Sequence, residues 1–154
     1  MLYTGKSHSF FGHKISEILI LEEIKDLISF GFKDITFFKK NKDSKINYYF
    51  SNPIWEKLYI ENDLFITDPC TQALLKTNAL IVPWETLPQK DLEFRKKTCQ
   101  VRDGLSIQTK KDKDNESFLL GHLGTDEAFM TKLLSSKESL ETLFLLFKKI
   151  SEHI

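Results

Sequence analysis

The stretch Asn52-Pro53-Ile54-Trp55-Glu56-Lys57-Leu58-Tyr59-Ile60-Glu61-Asn62-Asp63-Leu64-Phe65-Ile66-Thr67-Asp68-Pro69 decides how the chain is read. Asn52 before Pro53 is a helix start, because Asn accepts from free N–H groups and Pro suits the first helical position. The pattern predicts a helix over 53–62. Trp55 and Tyr59 are four apart on it, so their rings share one face and can form one wall of a cavity. Asp68 follows from the next element, with Pro69 opening a helix to about Thr77. Each residue also has a plainer reading. Asp68 fits an ordinary N-cap, and Trp55 and Tyr59 fit core aromatics whose polar tips meet backbone.

Working outward, a helix is expected over 14–30, with Leu21, Ile24, Leu27 and Ile28 as its apolar stripe and Gly31 as its stop. Phe32–Phe38 and Ile46–Phe50 are strand-like and joined by the polar turn 39–45. After the Asp68 helix come a strand over Leu80–Val82, a helix over 88–98, and a strand pair, Gly104–Thr109 and Ser117–Leu123. A polar loop, Lys110–Glu116, joins that pair. Ser135 with Glu138 suggests a capping box for a last helix carrying Leu140, Leu143, Phe144, Phe147 and Ile150. Helices and mostly antiparallel strands in separate blocks imply an α+β fold: a three-layer α-β-α sandwich around a sheet of about five strands.

The order of these motifs resembles the autoinducer-binding domain of LuxR-type quorum-sensing regulators, with Trp, an aromatic four residues on, and Asp-Pro thirteen residues after the Trp. Gly31-Phe32, Val82-Pro83-Trp84 and Gly104-Leu105-Ser106-Ile107 extend the likeness to roughly residues 20–152. It implies an N-acyl homoserine lactone as ligand, with the Trp55 indole donating to the lactone carbonyl and Asp68 accepting from the amide N–H. Tyr59 and Trp84 would pack on ring and tail. Two departures bear on the ligand. The Tyr that usually stands between Asn and Pro is missing, so Asn52, Tyr48 or a water must serve the acyl carbonyl. Gln108 replaces a strand Pro, and the strand position that often offers a hydroxyl falls near Gly121 or His122.

Composition suits one domain over 1–154: 154 residues, 41% hydrophobic and 29% charged, enough to bury a core around a cavity. Twenty-two basic residues balance 22 acidic ones, so no overall field draws nucleic acid or an anionic membrane. No apolar run reaches the roughly 20 residues of a bilayer span, and residues 1–14 lack a signal-peptide core, so a cytoplasmic location is expected. Cys70 and Cys99 have no metal spacing and fit reduced thiols. No catalytic motif, metal cluster or cofactor signature is present, and His122 fits a satisfied structural residue.

These readings give a non-enzymatic signal receptor as the leading expectation, as a homodimer or a heterodimer with a LuxR-type regulator. The last helix falls where such a sensing domain ends, and no helix-turn-helix follows Ile154, so direct DNA binding is not expected of this chain, whether it is a fragment or acts alone. The competing expectation is a ligand-free interaction module that heterodimerises with full-length regulators and inhibits them, its aromatics filling the former pocket. Cavity volume beside Trp55 and Asp68 separates the two.

Overall fold

In the computed structural model, residues 11–43, 45–109, 117–126 and 128–154 are described. In chain order the elements are β1 (Phe11–Lys14), α1 (Glu17–Phe30), β2 (Asp34–Lys40), β3 (Ile46–Phe50), α2 (Pro53–Glu61), α3 (Pro69–Thr77), β4 (Ile81–Pro83), α4 (Gln89–Cys99), β5 (Asp103–Gln108), β6 (Phe118–Thr125), α5 (Met130–Ser135) and α6 (Lys137–His153). Single 3-10 turns at Leu64–Ile66 and Trp84–Thr86 tighten two of the connections.

The strands form one sheet in the order β1-β3-β2-β6-β5-β4. All neighbours are antiparallel except β1 and β3. That sheet has one strand more than the sequence suggested, because β1 has too few apolar residues to register as a strand. It is held by backbone pairing, continued by Ile15 N–H donating to the Tyr48 carbonyl at 2.6 Å. Its presence moves the start of α1 from about 14 to 17. The loop Lys110–Glu116 and most of the polar start lie outside the described residues.

Helices cover both faces of the sheet. One hydrophobic cluster joins α1, α5 and α6 to Ile35, Phe37, Leu105, Ile107, Leu119 and Leu123. The other joins α2, α3 and α4 to Phe38, Ile46, Phe50, Phe118 and Leu120. The three-layer α+β arrangement expected from the sequence is therefore present. Two-sided coverage also explains β6, buried at every position from Phe118 to Thr125: its odd residues face one layer and its even residues the other.

Two local expectations are corrected. The buried stripe of α1 is Ile20, Ile24 and Leu27, while Leu21 and Ile28 turn outward. Both sets have helical spacing, and packing against α6 selects the first; there the buried Glu23 carboxylate meets His153 Nδ1 at 2.6 Å. The cap of the last helix is Ser136, whose hydroxyl accepts from Ser139 N–H at 3.2 Å. Ser135 instead ends the short helix α5, which the sequence reading missed.

The pleat also fixes Gly121. It faces α6, where an added Cβ would lie 2.5 Å from the Phe147 ring. Phe147 is itself buried, so the ring has little room to retreat. Gly121→Ala is expected to destabilise the fold by about 1–3 kcal/mol, read as a lowered urea midpoint. An unchanged midpoint would mean that Phe147 packs loosely.

Candidate functional site

On the α2–α3–α4 face, the Asp68 carboxylate is buried at the head of α3, capping that helix by accepting from Cys70 N–H at 3.0 Å. A buried carboxylate must be matched by donors, and several elements supply them. Tyr59 O–H from α2 donates at 2.7 Å, Thr71 O–H at 3.1 Å, and Arg95 Nη1 from α4 lies 3.3 and 3.4 Å from the two oxygens. The plain cap reading is thus true, and the carboxylate is also a junction between three helices.

From Thr71 the chain of hydrogen bonds continues into the sheet. His122 Nε2 lies 2.8 Å from Thr71 Oγ1, His122 Nδ1 lies 2.9 Å from Ser106 Oγ, and Trp84 Nε1–H donates to Ser106 Oγ at 3.0 Å. The two ends of this chain set its direction, since an indole only donates and an ionised carboxylate only accepts. Ser106 accepts from Trp84 and so gives its proton to His122 Nδ1. Thr71 gives its proton to Asp68 and so accepts from His122 Nε2–H. His122 is therefore the neutral Nε2–H tautomer, assigned from the network.

The electrostatics agree. Burial, reinforced by the positive charge of Arg95, pushes the His122 pKa down to about 3, against the pull of Asp68. For Asp68 burial alone would raise the pKa, but the charge of Arg95 and the hydrogen bonds from Tyr59 and the Cys70 N–H outweigh it and hold the group below the usual carboxylate range. Tyr59, buried beside that anion, is raised well above its ordinary value. Ser106 with His122 has the composition of a nucleophile and base, but both are fully buried and the imidazole is a poor base at neutral pH. No cluster of three or more potential metal ligands occurs among the described residues.

Arg95 is the unexpected member. It is only 3% exposed, and its guanidinium lies between two indoles, Cζ 5.1 Å from the Trp55 ring centre and 5.3 Å from that of Trp84. Its Nε and Nη2 have no hydrogen-bond partner, and the thiols of Cys70 and Cys99 that lie alongside are weak acceptors. Trp55 Nε1 is likewise buried without a partner. Trp84 reaches its position because Gly104 has no side chain: a Cβ there would lie 2.7 Å from the indole and 2.5 Å from the Leu123 carbonyl.

A cavity of about 230 Å³ opens beside this group, lined by Trp55, Tyr59, Leu64, Thr67, Asp68, Pro69, Asp91, Leu92, Phe94 and Arg95. Of the residues singled out in the sequence, Trp55, Tyr59 and Asp68 meet at this cavity, and Trp84 stands behind Arg95. Asn52 caps α2, accepting from Ile54 and Trp55 N–H at 2.9 and 3.1 Å, and so sets the position of the Trp55 ring without lining the cavity. Tyr48 packs on Phe50, its ring centre 5.7 Å away, on the same side of the sheet but away from the cavity lining. Gly121 is on the opposite face, and the register Ser106–His122 puts the neighbouring His122 in the site instead.

Sequence reasoning missed Thr71, Ser106 and Arg95. A signal for Arg95 existed: Leu92, Arg95 and Cys99 fall at helical spacing on the buried face of α4, where a charged residue is out of place unless paired. Thr71 stands three residues after the Asp68 cap, within reach of its carboxylate.

Neither a protein-family model nor a curated protein sequence matches the chain. Solved structures do. SdiA from Escherichia coli superposes with a TM-score of 0.67 at 11% identity, over 99% of this chain and 62% of that one. CepR2 from Burkholderia cenocepacia, an N-acylhomoserine lactone dependent LuxR family transcription factor, gives 0.61 at 14% identity, over 87% and 79%. SdiA in complex with octanoyl-rac-glycerol gives 0.65 at 12%, over 97% and 59%. The chain thus has the fold expected from its resemblance to LuxR-type regulators, and spans about three fifths of the SdiA chains it matches.

The buried neutral His122 makes stability depend on pH. Its folded pKa of about 3 lies below the roughly 6.5 of an unfolded chain, so between these values the unfolded state binds the extra proton and acid favours unfolding. Asp34, raised chiefly by burial, acts in the opposite sense in the range just above its ordinary value. Lowering the pH from about 7 to about 5.5 should remove about 1 kcal/mol, seen as a fall in urea midpoint. A midpoint that stays level would show His122 to titrate alike in the folded and unfolded chain, and a rising one would show it charged in the fold.

Proposed function

We propose that the domain is a small-molecule sensor that takes an N-acyl homoserine lactone or a related acyl signal into the cavity between α2, α3 and α4, and that it serves or interferes with quorum-sensing transcription control. The observation that carries this reading is the cavity itself: about 230 Å³ of space beside two buried aromatic residues, with a buried indole N–H that has no acceptor. An unpaired buried donor is costly, and a ligand carbonyl would relieve it. The space is smaller than a typical drug-sized site, which suits a compact head or a short acyl chain. The ligands named for CepR2 and SdiA are of the same chemical kind.

A larger groove of about 550 Å³ lies against α6, lined by Lys39, Gln108, Phe144, Lys148 and Ser151 among others. Phe144 is its one aromatic lining residue, against Trp55, Tyr59 and Phe94 beside Asp68, and the cavity beside Asp68 is the better candidate. The sensor acts without catalysis. Its setting is cytoplasmic, as a homodimer or paired with a LuxR-type regulator, and no helix among the described residues is long and apolar enough to cross a membrane.

One observation favours the second reading, an interaction module that heterodimerises with full-length LuxR-type regulators and inhibits them without a ligand. The Asp68 carboxylate already receives four donor groups from the protein itself, so the fold does not require a guest to satisfy it.

The test is a panel of acyl homoserine lactones of graded chain length, with octanoyl glycerol added, read by melting temperature and tryptophan fluorescence. The sensor reading expects a concentration-dependent rise in melting temperature, equivalent to about 2.7 kcal/mol at a hundredfold excess over Kd. If every compound leaves both signals unchanged while the chain exchanges into dimers of a full-length regulator, the module reading replaces it.

A further inference from the structure

The donors and acceptors around the cavity are out of balance. Two carboxylates line it, the exposed Asp91 and the buried Asp68, and the oxygens of Asp68 are occupied by Tyr59, Thr71, the Cys70 N–H and Arg95. An ionised carboxylate has about four lone-pair sites, so little capacity is left for a donor brought by a ligand. Donors, by contrast, are in surplus: Trp55 Nε1–H has no acceptor, and Arg95 Nε–H and Nη2 have no oxygen or nitrogen acceptor, only the weakly accepting thiols of Cys70 and Cys99. The Arg95 pairing is itself odd. A guanidinium kept only for structure usually meets a carboxylate through two parallel N–H bonds, whereas Arg95 offers Asp68 a single nitrogen and leaves the rest of its fork to the weakly accepting thiols of Cys70 and Cys99.

Geometry adds to this. The guanidinium is flat, carries N–H groups and lies between the Trp55 and Trp84 rings with one edge toward Asp68. A ligand amide held between the same rings would need that edge. We propose that Arg95 is an internal stand-in for a ligand's amide: it occupies the N–H donor position against Asp68 and so restricts the pocket to acyl compounds that bring carbonyl acceptors and no N–H donor, such as esters or ketones. The proposal rests on the sensor reading for the ligand class, but the occupancy of the donor position by Arg95 can be tested without any signal.

Both parts are tested by shortening the residue. In Arg95→Ala the vacated space matches an ethylguanidinium ion. Millimolar ethylguanidinium should raise the melting temperature of R95A by several degrees and leave wild type unmoved, while ethylammonium at equal concentration should do much less. In the double variant R95A with Asp68→Asn the rescue should vanish. Absence of rescue in R95A, or equal rescue by the ammonium, overturns the stand-in role. If R95A does not accumulate folded, refolding yield with and without the ion gives the same readout.

For the ligand class, N-octanoyl homoserine lactone is compared with its analogue in which an ester oxygen replaces the amide N–H. Wild type should bind the ester about tenfold tighter than the amide, because the amide N–H would be buried without an acceptor. R95A, and Arg95→Met as a variant that keeps bulk but has no N–H, should reverse that order as the Asp68 carboxylate becomes free. Wild type binding the amide as tightly as the ester overturns the selectivity. Should neither compound bind wild type while ethylguanidinium still rescues R95A, the sensor reading fails and the internal occupant stands.

Discussion

A carboxylate carried into the interior at residue 68 is the constraint around which the α2–α3–α4 side of the molecule is arranged. In water the anion would be solvated from all sides; inside, every part of that solvation must be rebuilt from protein groups or the group would give up its charge. The rebuilding draws its donors from three helices. Tyr59 fixes α2, Thr71 and the Cys70 N–H fix the first turn of α3, and Arg95 fixes α4. Because Thr71 spends its proton on Asp68, it must accept from His122, and that one requirement orients the imidazole, then Ser106, then Trp84. One buried charge thus sets the polarity of a network reaching from a helix cap to the far strands of the sheet.

Networks of this sort have two possible meanings, and magnitudes help to separate them. If Asp68 and Arg95 were only a structural pair, an apolar substitute of similar shape would serve about as well, since burying two charges costs several kcal/mol that their attraction does little more than offset. The arrangement departs from such a pair in leaving donors unpaired beside open space. Buried N–H groups without partners each cost about 1–3 kcal/mol, and folds seldom tolerate several in one place without some return. Around a binding site such imbalance has a use, because a guest that satisfies the donors gains what the empty state lacks.

How much of this could be read from the chain divides along physical lines. Helix starts were legible because Asn52-Pro53 and Asp68-Pro69 are local signals, and both caps form as expected. That Trp55 and Tyr59 share a face was legible through spacing, whereas the part of Asp68 beside them came from the resemblance to LuxR-type domains, its local pattern giving only a helix cap. Arg95 was legible only through its helical spacing with Leu92 and Cys99, a weak signal for a charged residue, because its burial is decided by the tertiary packing of α4. The strand β1 was hidden for the same reason, its stability residing in pairing with β3 rather than in its own residues. The alternation of β6 was obscured because both faces are covered, so no polar and apolar rhythm remained to say whether Gly121 or His122 faced the site.

That last ambiguity has a consequence for how the fold could host different guests. A strand buried on both faces carries two independent sets of side chains, one for each layer, and a change on one face need not disturb the other. Gly121 belongs to the packing of α6, where its lack of a side chain admits the Phe147 ring. His122, one residue on, belongs wholly to the network around Asp68. The helical layer of α1, α5 and α6 can therefore remain a rigid backing while residues on α2, α3, α4 and the even positions of β6 determine what the cavity accepts. Arg95 sits on α4, the helix of that layer farthest in sequence from the Trp55 motif, so any choice of guest made there would lie outside the stretch by which the fold is recognised.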